Sequence, residues 1–344
     1  MAKKNNFMMP QMGSARKMAL VSVGLLIRYS VCLSIILLVA TGVSGHLVAG
    51  DVPVKIGGNY EVRAIADVAY GEKFTVPPLK NSLDIYLPKD AKDFPIVFFV
   101  HGGGWTIGDK WPYFTLGHLL AKNGIGAVMI NYRLSPAVKH PAHVKDVAKA
   151  LDWTFRNAEK FGARPDRVFL AGHSAGAHLI SLLATDESYL KEYDRSPRDI
   201  RGVIGISGVY TFEGEWLDKD MLRGWDWPGR RWRTGIAWVI TQTVLGSDAH
   251  ILADASPIRH TTGKEPPFLL AYGAEDLAGC EKMAKEFSQR LREKKVEVKT
   301  LRVPMRSHAS IIALAMVNET DPVTQSILEF ISAHSDLVLK PRTP

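Results

Sequence analysis

The chain has 344 residues, of which 46% are hydrophobic, 23% charged and 9% aromatic, a balance that excludes a disordered or collagen-like protein and suits one catalytic domain with an added lid or tail. Its formal charge of +8 resembles a polyanion-binding signal, yet Lys3, Lys4, Arg16, Lys17 and Arg28 all precede residue 46 with no acid among them, which leaves +3 on the rest. That mild remainder excludes nucleic acid as an expected partner.

In chain order, a basic stretch ending at Arg28 is followed by the apolar run Tyr29 to Val43 and then by the small residues Ser44 and Gly45. This is the pattern of a cleavable signal peptide over residues 1–45, with a secreted or periplasmic product. The rival is an uncleaved anchor from Ala19 to Val43, which would make the membrane a partner. It would put Arg28 inside the bilayer at a cost of about 2.5 to 3.5 kcal/mol. Of the two cysteines, Cys32 lies in this run, so a processed chain keeps only Cys280 and forms no internal disulfide. Residues 46–63 read as a connecting segment and 64–340 as the catalytic domain.

From about residue 64 short β-rich runs alternate with helical patterns, which predicts βαβ units and a mostly parallel sheet, an α/β class. Leu83 to Leu87 alternates and stops at Pro88, while Ile96 to Val100 is a continuous apolar run, as in a strand covered on both faces. His101-Gly102-Gly103-Gly104-Trp105 follows that strand directly. Its glycines expose backbone N–H groups, the donors that a developing oxyanion needs. A phosphate loop is the alternative, but no Gly-Lys-Ser/Thr follows. A strand is expected at Gly126 to Tyr132 and a helix from Ala142 to Phe161, its apolar face at Val144, Val147, Leu151 and Phe155. His140 and His143 are three apart, but Pro141 between them and the lack of nearby ligands argue for a helix start rather than a metal site.

Gly172-His173-Ser174-Ala175-Gly176 lies between the apolar strand Arg167 to Ala171 and the helix-like Ala177 to Leu183. Strand, sharp turn and helix force the central serine into an exposed, strained position, so Ser174 is the candidate nucleophile. The oxyanion donors are then expected to be Gly103, Gly104 and the N–H of Ala175. Trp105 and His173, inside the two motifs, are the further candidates for substrate contact. A strand at Gly202 to Ile206 is followed by an insertion over 211–262. It carries Trp216, Trp225, Trp227, Trp232 and Trp238 and reads either as a lid over the site or as a self-packed unit.

The acid and histidine that complete a serine site of this kind follow the serine, each just past a strand end. The strand Phe268 to Tyr272 runs into a turn ending in carboxylates, where Asp276 is the candidate acid and Glu275 its reserve. Gly279 to Lys294 reads as a helix that opens with Cys280, a structural residue. The strand Val296 to Val303 leads to His308, the candidate base. His101 precedes the serine and is expected to brace its loop, and His334 belongs to a late helix.

With these residues in place, the chain resembles the hormone-sensitive-lipase-like and carboxylesterase branch of the α/β-hydrolases. It is similar to bacterial feruloyl-esterase-like hydrolases and kynurenine formamidases. The carriers are His101 to Trp105, Gly108-Asp109-Lys110, Asn131 to Pro136, Phe161-Gly162, Gly172 to Gly176, Gly273 to Asp276 and His308, and the resemblance spans roughly 64–333. It implies an α/β-hydrolase fold and acyl transfer by Ser174, Asp276 and His308, with no metal and no cofactor. The implied substrate is a small-molecule ester. An arylformamide, cleaved by the same triad, and a non-catalytic binding member of the fold are the alternatives. The resemblance departs in the tryptophan-rich insertion, and the sequence sets no oligomeric state.

Overall fold

A computed structural model describes residues 56–71, 81–213, 241–246 and 248–337 of the chain. The segment 1–45 and the five tryptophans of the insertion lie outside the described residues.

Eight strands form one sheet: β1 (Val62–Ala69), β2 (Ser82–Pro88), β3 (Phe94–Val100), β4 (Gly126–Ile130), β5 (Ala163–His173), β6 (Gly202–Ile206), β7 (Phe268–Glu275) and β8 (Val298–Ser307), in the spatial order β1-β2-β4-β3-β5-β6-β7-β8. β1 and β2 are antiparallel, and every pair from β4 to β8 is parallel. Among the described residues, the α-helices of six or more residues are α1 (Phe114–Lys122), α2 (Ala142–Asn157), α3 (Ala175–Thr185), α4 (Ala249–Asp254), α5 (Cys280–Glu293), α6 (Ser310–Ala315) and α7 (Pro322–Ser335).

The continuous apolar run of β3 has a simple cause. Successive side chains of a strand point to opposite faces, and both faces here are covered. Ile96, Phe98 and Val100 join a core with Leu151 of α2, Leu179 of α3 and Phe287 of α5. Val97 and Phe99 join another with Leu120 of α1, Ile311 of α6 and Ile327 of α7. The sheet is therefore the middle of three layers, as the alternating pattern predicts.

Chain order reverses at β3, with β4 on one side of it and β5 on the other. At such a switch point the connections leave in opposite directions and open a crevice outside the carboxyl ends of the strands. The segments following β3 and β5 are the two glycine motifs.

Three boundaries differ from the sequence reading. The domain start at 64 falls inside β1, and Ile56 is already fully buried, with Gly57 and Tyr60 donating their N–H groups to the carbonyls of Asn123 and Lys122. β1 is a partly exposed edge strand, so it lacks the apolar pattern that marks β3. β8 continues past Val303 to Ser307 for the same reason: its pairing with β7 holds polar residues in the sheet. The helix expected to reach Phe161 stops at Asn157. A 3₁₀ turn, Glu159–Phe161, follows and ends at Gly162, whose φ of 83° suits glycine.

Candidate active site

β5 ends at His173 and α3 begins at Ala175, so Ser174 alone makes the turn, with φ 54° and ψ −117°. A non-glycine residue held at positive φ is strained and persists only where its surroundings over-determine it. Here they do. The Ser174 N–H donates to the Ile206 carbonyl at 2.9 Å. A Cβ on Gly176 would collide with the Val100 carbonyl oxygen, so β3 and α3 approach closely only with glycine at that position. The N-terminus of α3, which carries partial positive charge, lies at the serine.

The glycine loop packs against this turn. A Cβ on Gly102 would sit 3.2 Å from Ser174 Cβ and 2.9 Å from the His173 carbonyl oxygen. Gly103 and Gly104 follow at φ 121° and 58°. Among the described residues, no acceptor is bonded to the N–H groups of Gly103, Gly104 or Ala175. His101 braces the loop rather than facing it: its Nδ1 lies 2.7 Å from the Gly102 carbonyl oxygen, and its ring stacks on Tyr132 at 4.4 Å. The far end of the loop is anchored by the buried Lys110. Its ammonium pairs with Asp84 and Asp67 at 2.7 Å each, and its N–H donates to Asn131 Oδ1.

Asp276 and His308 stand one residue beyond β7 and β8. Adjacent parallel strands bring their C-terminal ends together, and His308 Nδ1 donates to Asp276 Oδ1 at 2.7 Å. Oδ1 also accepts from the Leu277 N–H, while Oδ2 accepts from Gly273 N–H and from Ser207 Oγ at 2.5 Å. Burial alone would raise the Asp276 pKa. The hydrogen bond and charge of His308, with the donors Ser207 and Gly273, outweigh burial and hold it down at about 2. The carboxylate is therefore ionised at neutral pH, and its hold on Nδ1 leaves the Nε2 lone pair of a neutral His308 to accept a proton.

His173 connects the Ser174 turn to this pair. Its Nε2–H donates to the His308 carbonyl at 2.9 Å, and the two rings lie 4.8 Å apart. Burial, with a smaller contribution from His308, lowers the His173 pKa to about 3, so it stays neutral. His173 is 7% exposed and spends its donor on backbone, and Trp105 is 2% exposed with its indole N–H donated to His178 Nδ1 at 3.2 Å.

Cys280 lies beside Asp276, and burial pushes its thiol well above the ordinary range, so it is a poor nucleophile. Donor atoms of Asp276, Cys280 and His308 fall within 4.8 Å of one another, as do those of Asp186, Asp254 and His260 at the far end of α3. In the first group the carboxylate already accepts four hydrogen bonds. His140 and His143 do not converge: His140 faces Asp254 and His143 faces Ser135 Oγ.

Two supporting residues escaped the sequence reading. Ser207 lies at the end of β6 with φ 51°, and a small polar residue ending a buried strand beside Gly208 was its only signal. His178 lies one helical turn beyond Ser174, a spacing that places it on the same face of α3.

The BD-FAE family model matches residues 83–291. The chain is similar to Esterase LipC of Mycobacterium tuberculosis (31% identity, covering 73% of this chain and 61% of that one). It is also similar to a probable isoprenylcysteine alpha-carbonyl methylesterase, ICMEL1, of Arabidopsis thaliana (27% identity, 67% and 49%). The chain thus spans about half to three-fifths of the length of these relatives. Among solved structures, esterase B of Lactobacillus rhamnosis, inhibited by a tributyrin phosphonate, superposes with a TM-score of 0.67 at 18% identity over 94% of this chain and 97% of that one. An esterase of Pyrobaculum calidifontis gives 0.62 at 21% over 79% and 85%. These likenesses establish the fold, a mostly parallel sheet flanked by helices as in the α/β-hydrolases.

Proposed function

Because the chain belongs to the BD-FAE family, within the α/β-hydrolases, we propose that it is a serine carboxylesterase acting on small-molecule esters. The observation that carries the reading is the joining of the strained Ser174 turn to the His308–Asp276 pair through His173, at the switch point of the sheet.

Ser174 Oγ attacks the ester carbonyl carbon while His308 Nε2 takes its proton. Asp276 holds Nδ1 and stabilises the imidazolium that results. The carbonyl oxygen, now negative, is received by the N–H groups of Gly103, Gly104 and Ala175. Collapse breaks the bond to the alcohol, which leaves with the proton from His308. Water then gives a proton to His308 and attacks the acyl-enzyme, and Ser174 is released with the carboxylic acid.

Ser174→Ala is expected to lower hydrolysis of short p-nitrophenyl esters by about 10⁴-fold or more and to abolish labelling by a fluorophosphonate probe. A variant that keeps either would overturn the assignment. Residues 1–45 are proposed to direct export, which N-terminal sequencing of the exported protein tests.

A further inference from the structure

The proposed oxyanion donors belong to two segments of the chain, Gly103 and Gly104 after β3 and Ala175 at the start of α3. The backbones pack directly at Gly102 and Ser174, and a buried side chain joins the two segments at a second point. That side chain is His178, 1% exposed. Its Nε2 lies 2.7 Å from the Ala255 carbonyl oxygen and its Nδ1 lies 3.2 Å from Trp105 Nε1. The partners decide the tautomer. A carbonyl only accepts, so Nε2 carries the proton, and an indole N–H only donates, so Nδ1 offers its lone pair.

We propose that His178 is a positioning residue for the oxyanion hole, tying the glycine loop through Trp105 to the nucleophile helix and to the root of the insertion. The inference rests on the reading of Gly103 and Gly104 as oxyanion donors. Three further observations support it. Trp105 follows Gly104 directly and is itself held at φ 58°, a conformation that a bulky side chain keeps only under external restraint. The restraint is visible on both sides: Ser135 N–H donates to the Trp105 carbonyl at 2.9 Å, and His178 holds the indole. Phe212, where the chain leaves β6 for the insertion, packs on both rings, at 5.6 Å from Trp105 and 5.0 Å from His178. Its N–H donates to Ser256 Oγ on the returning segment, next to Ala255. Both roots of the insertion thus meet this link, Ala255 through its carbonyl on His178 and Phe212 through its contacts with both rings. Burial lowers the His178 pKa to about 3, aided by the charges of His140 and His143 and opposed by the bond to Ala255, so Nδ1 remains an acceptor near neutrality.

The test uses the full chain and steady-state hydrolysis of p-nitrophenyl butyrate by His178→Leu, Trp105→Phe, their double variant and His178→Asn. Each of the first two is expected to lose roughly 10- to 100-fold in kcat, because a small misplacement of an oxyanion donor acts in the transition state, while KM stays within about twofold. The double variant falls no further than the weaker single variant, since both cut one link. His178→Asn keeps an acceptor at the δ position and recovers most of kcat. Should His178→Leu fail to fold, Trp105→Phe and His178→Asn decide the matter. Wild-type kcat in folded variants, additive losses or a change in KM alone would overturn the inference. A wild-type chain inactive on every ester would instead sink the proposed function.

Discussion

Asp276 concentrates the chemistry of single residues. Its two oxygens divide the work, Oδ2 being anchored by Ser207 and Gly273 while Oδ1 holds His308. Because its pKa is depressed in the fold from the ordinary 3.8 to about 2, the stability it contributes is fully present above about pH 4 and is lost as pH falls through about 2. Ser207→Ala removes one of the donors that depress this pKa. Its acid-unfolding transition is therefore expected to begin at higher pH than that of the wild type. A carboxylate free to turn also lowers kcat by roughly 10-fold, with KM little changed. Circular dichroism against pH together with ester kinetics checks both outcomes, and unaltered curves would show that Ser207 does not hold the acid. At this scale the sequence pointed to the candidate groups, since a serine between glycines and a histidine after a strand carry local signatures. It did not reveal Ser207 or His178, whose roles depend on partners 69 and 77 positions away.

Among the elements, the loop from His101 to Lys110 shows how a glycine-rich segment is held from both ends. Its start packs on Ser174, and its end is held by Lys110 against Asp84 on β2 and Asp67 on β1. Lys110 is only 6% exposed. Lys110→Met leaves the buried Asp84 carboxylate without its cation, and the loss of stability is expected at about 3 to 5 kcal/mol. Adding Asp84→Asn restores much of it. Urea denaturation of the three variants measures the difference, and a single variant as stable as wild type would refute the anchor. The sequence offered Gly108-Asp109-Lys110 as a motif, but a lysine beside a glycine loop reads as solvent-exposed until strand order brings β2 within reach.

At the scale of the whole molecule, a chain beginning at residue 50 is expected to keep the unfolding temperature and ester activity of the full chain, because it retains every described residue from Ile56 onward. A chain beginning at residue 64 removes the buried Ile56 and the first two residues of β1. The expected cost is about 2 kcal/mol or more from burial of that isoleucine alone. Thermal unfolding of the two truncations distinguishes them, and equal stability would return the domain boundary to 64. The error in that boundary has a physical origin: edge strands face solvent on one side and carry weak apolar periodicity.

By itself the sequence determined the class of fold and the positions where chemistry could occur, since covered strands must be apolar on both faces and sharp strand-to-helix turns require glycine. The tertiary structure alone decided which groups meet. Strand order put β3 beside β5 and β7 beside β8, bringing the glycine loop to Ser174 and Asp276 to His308. It also buried Trp105 and His173 and gave the ring N–H of each a partner. Hydrogen-bond partners distant in the chain leave no periodicity to read, so packing, rather than pattern, settled their roles.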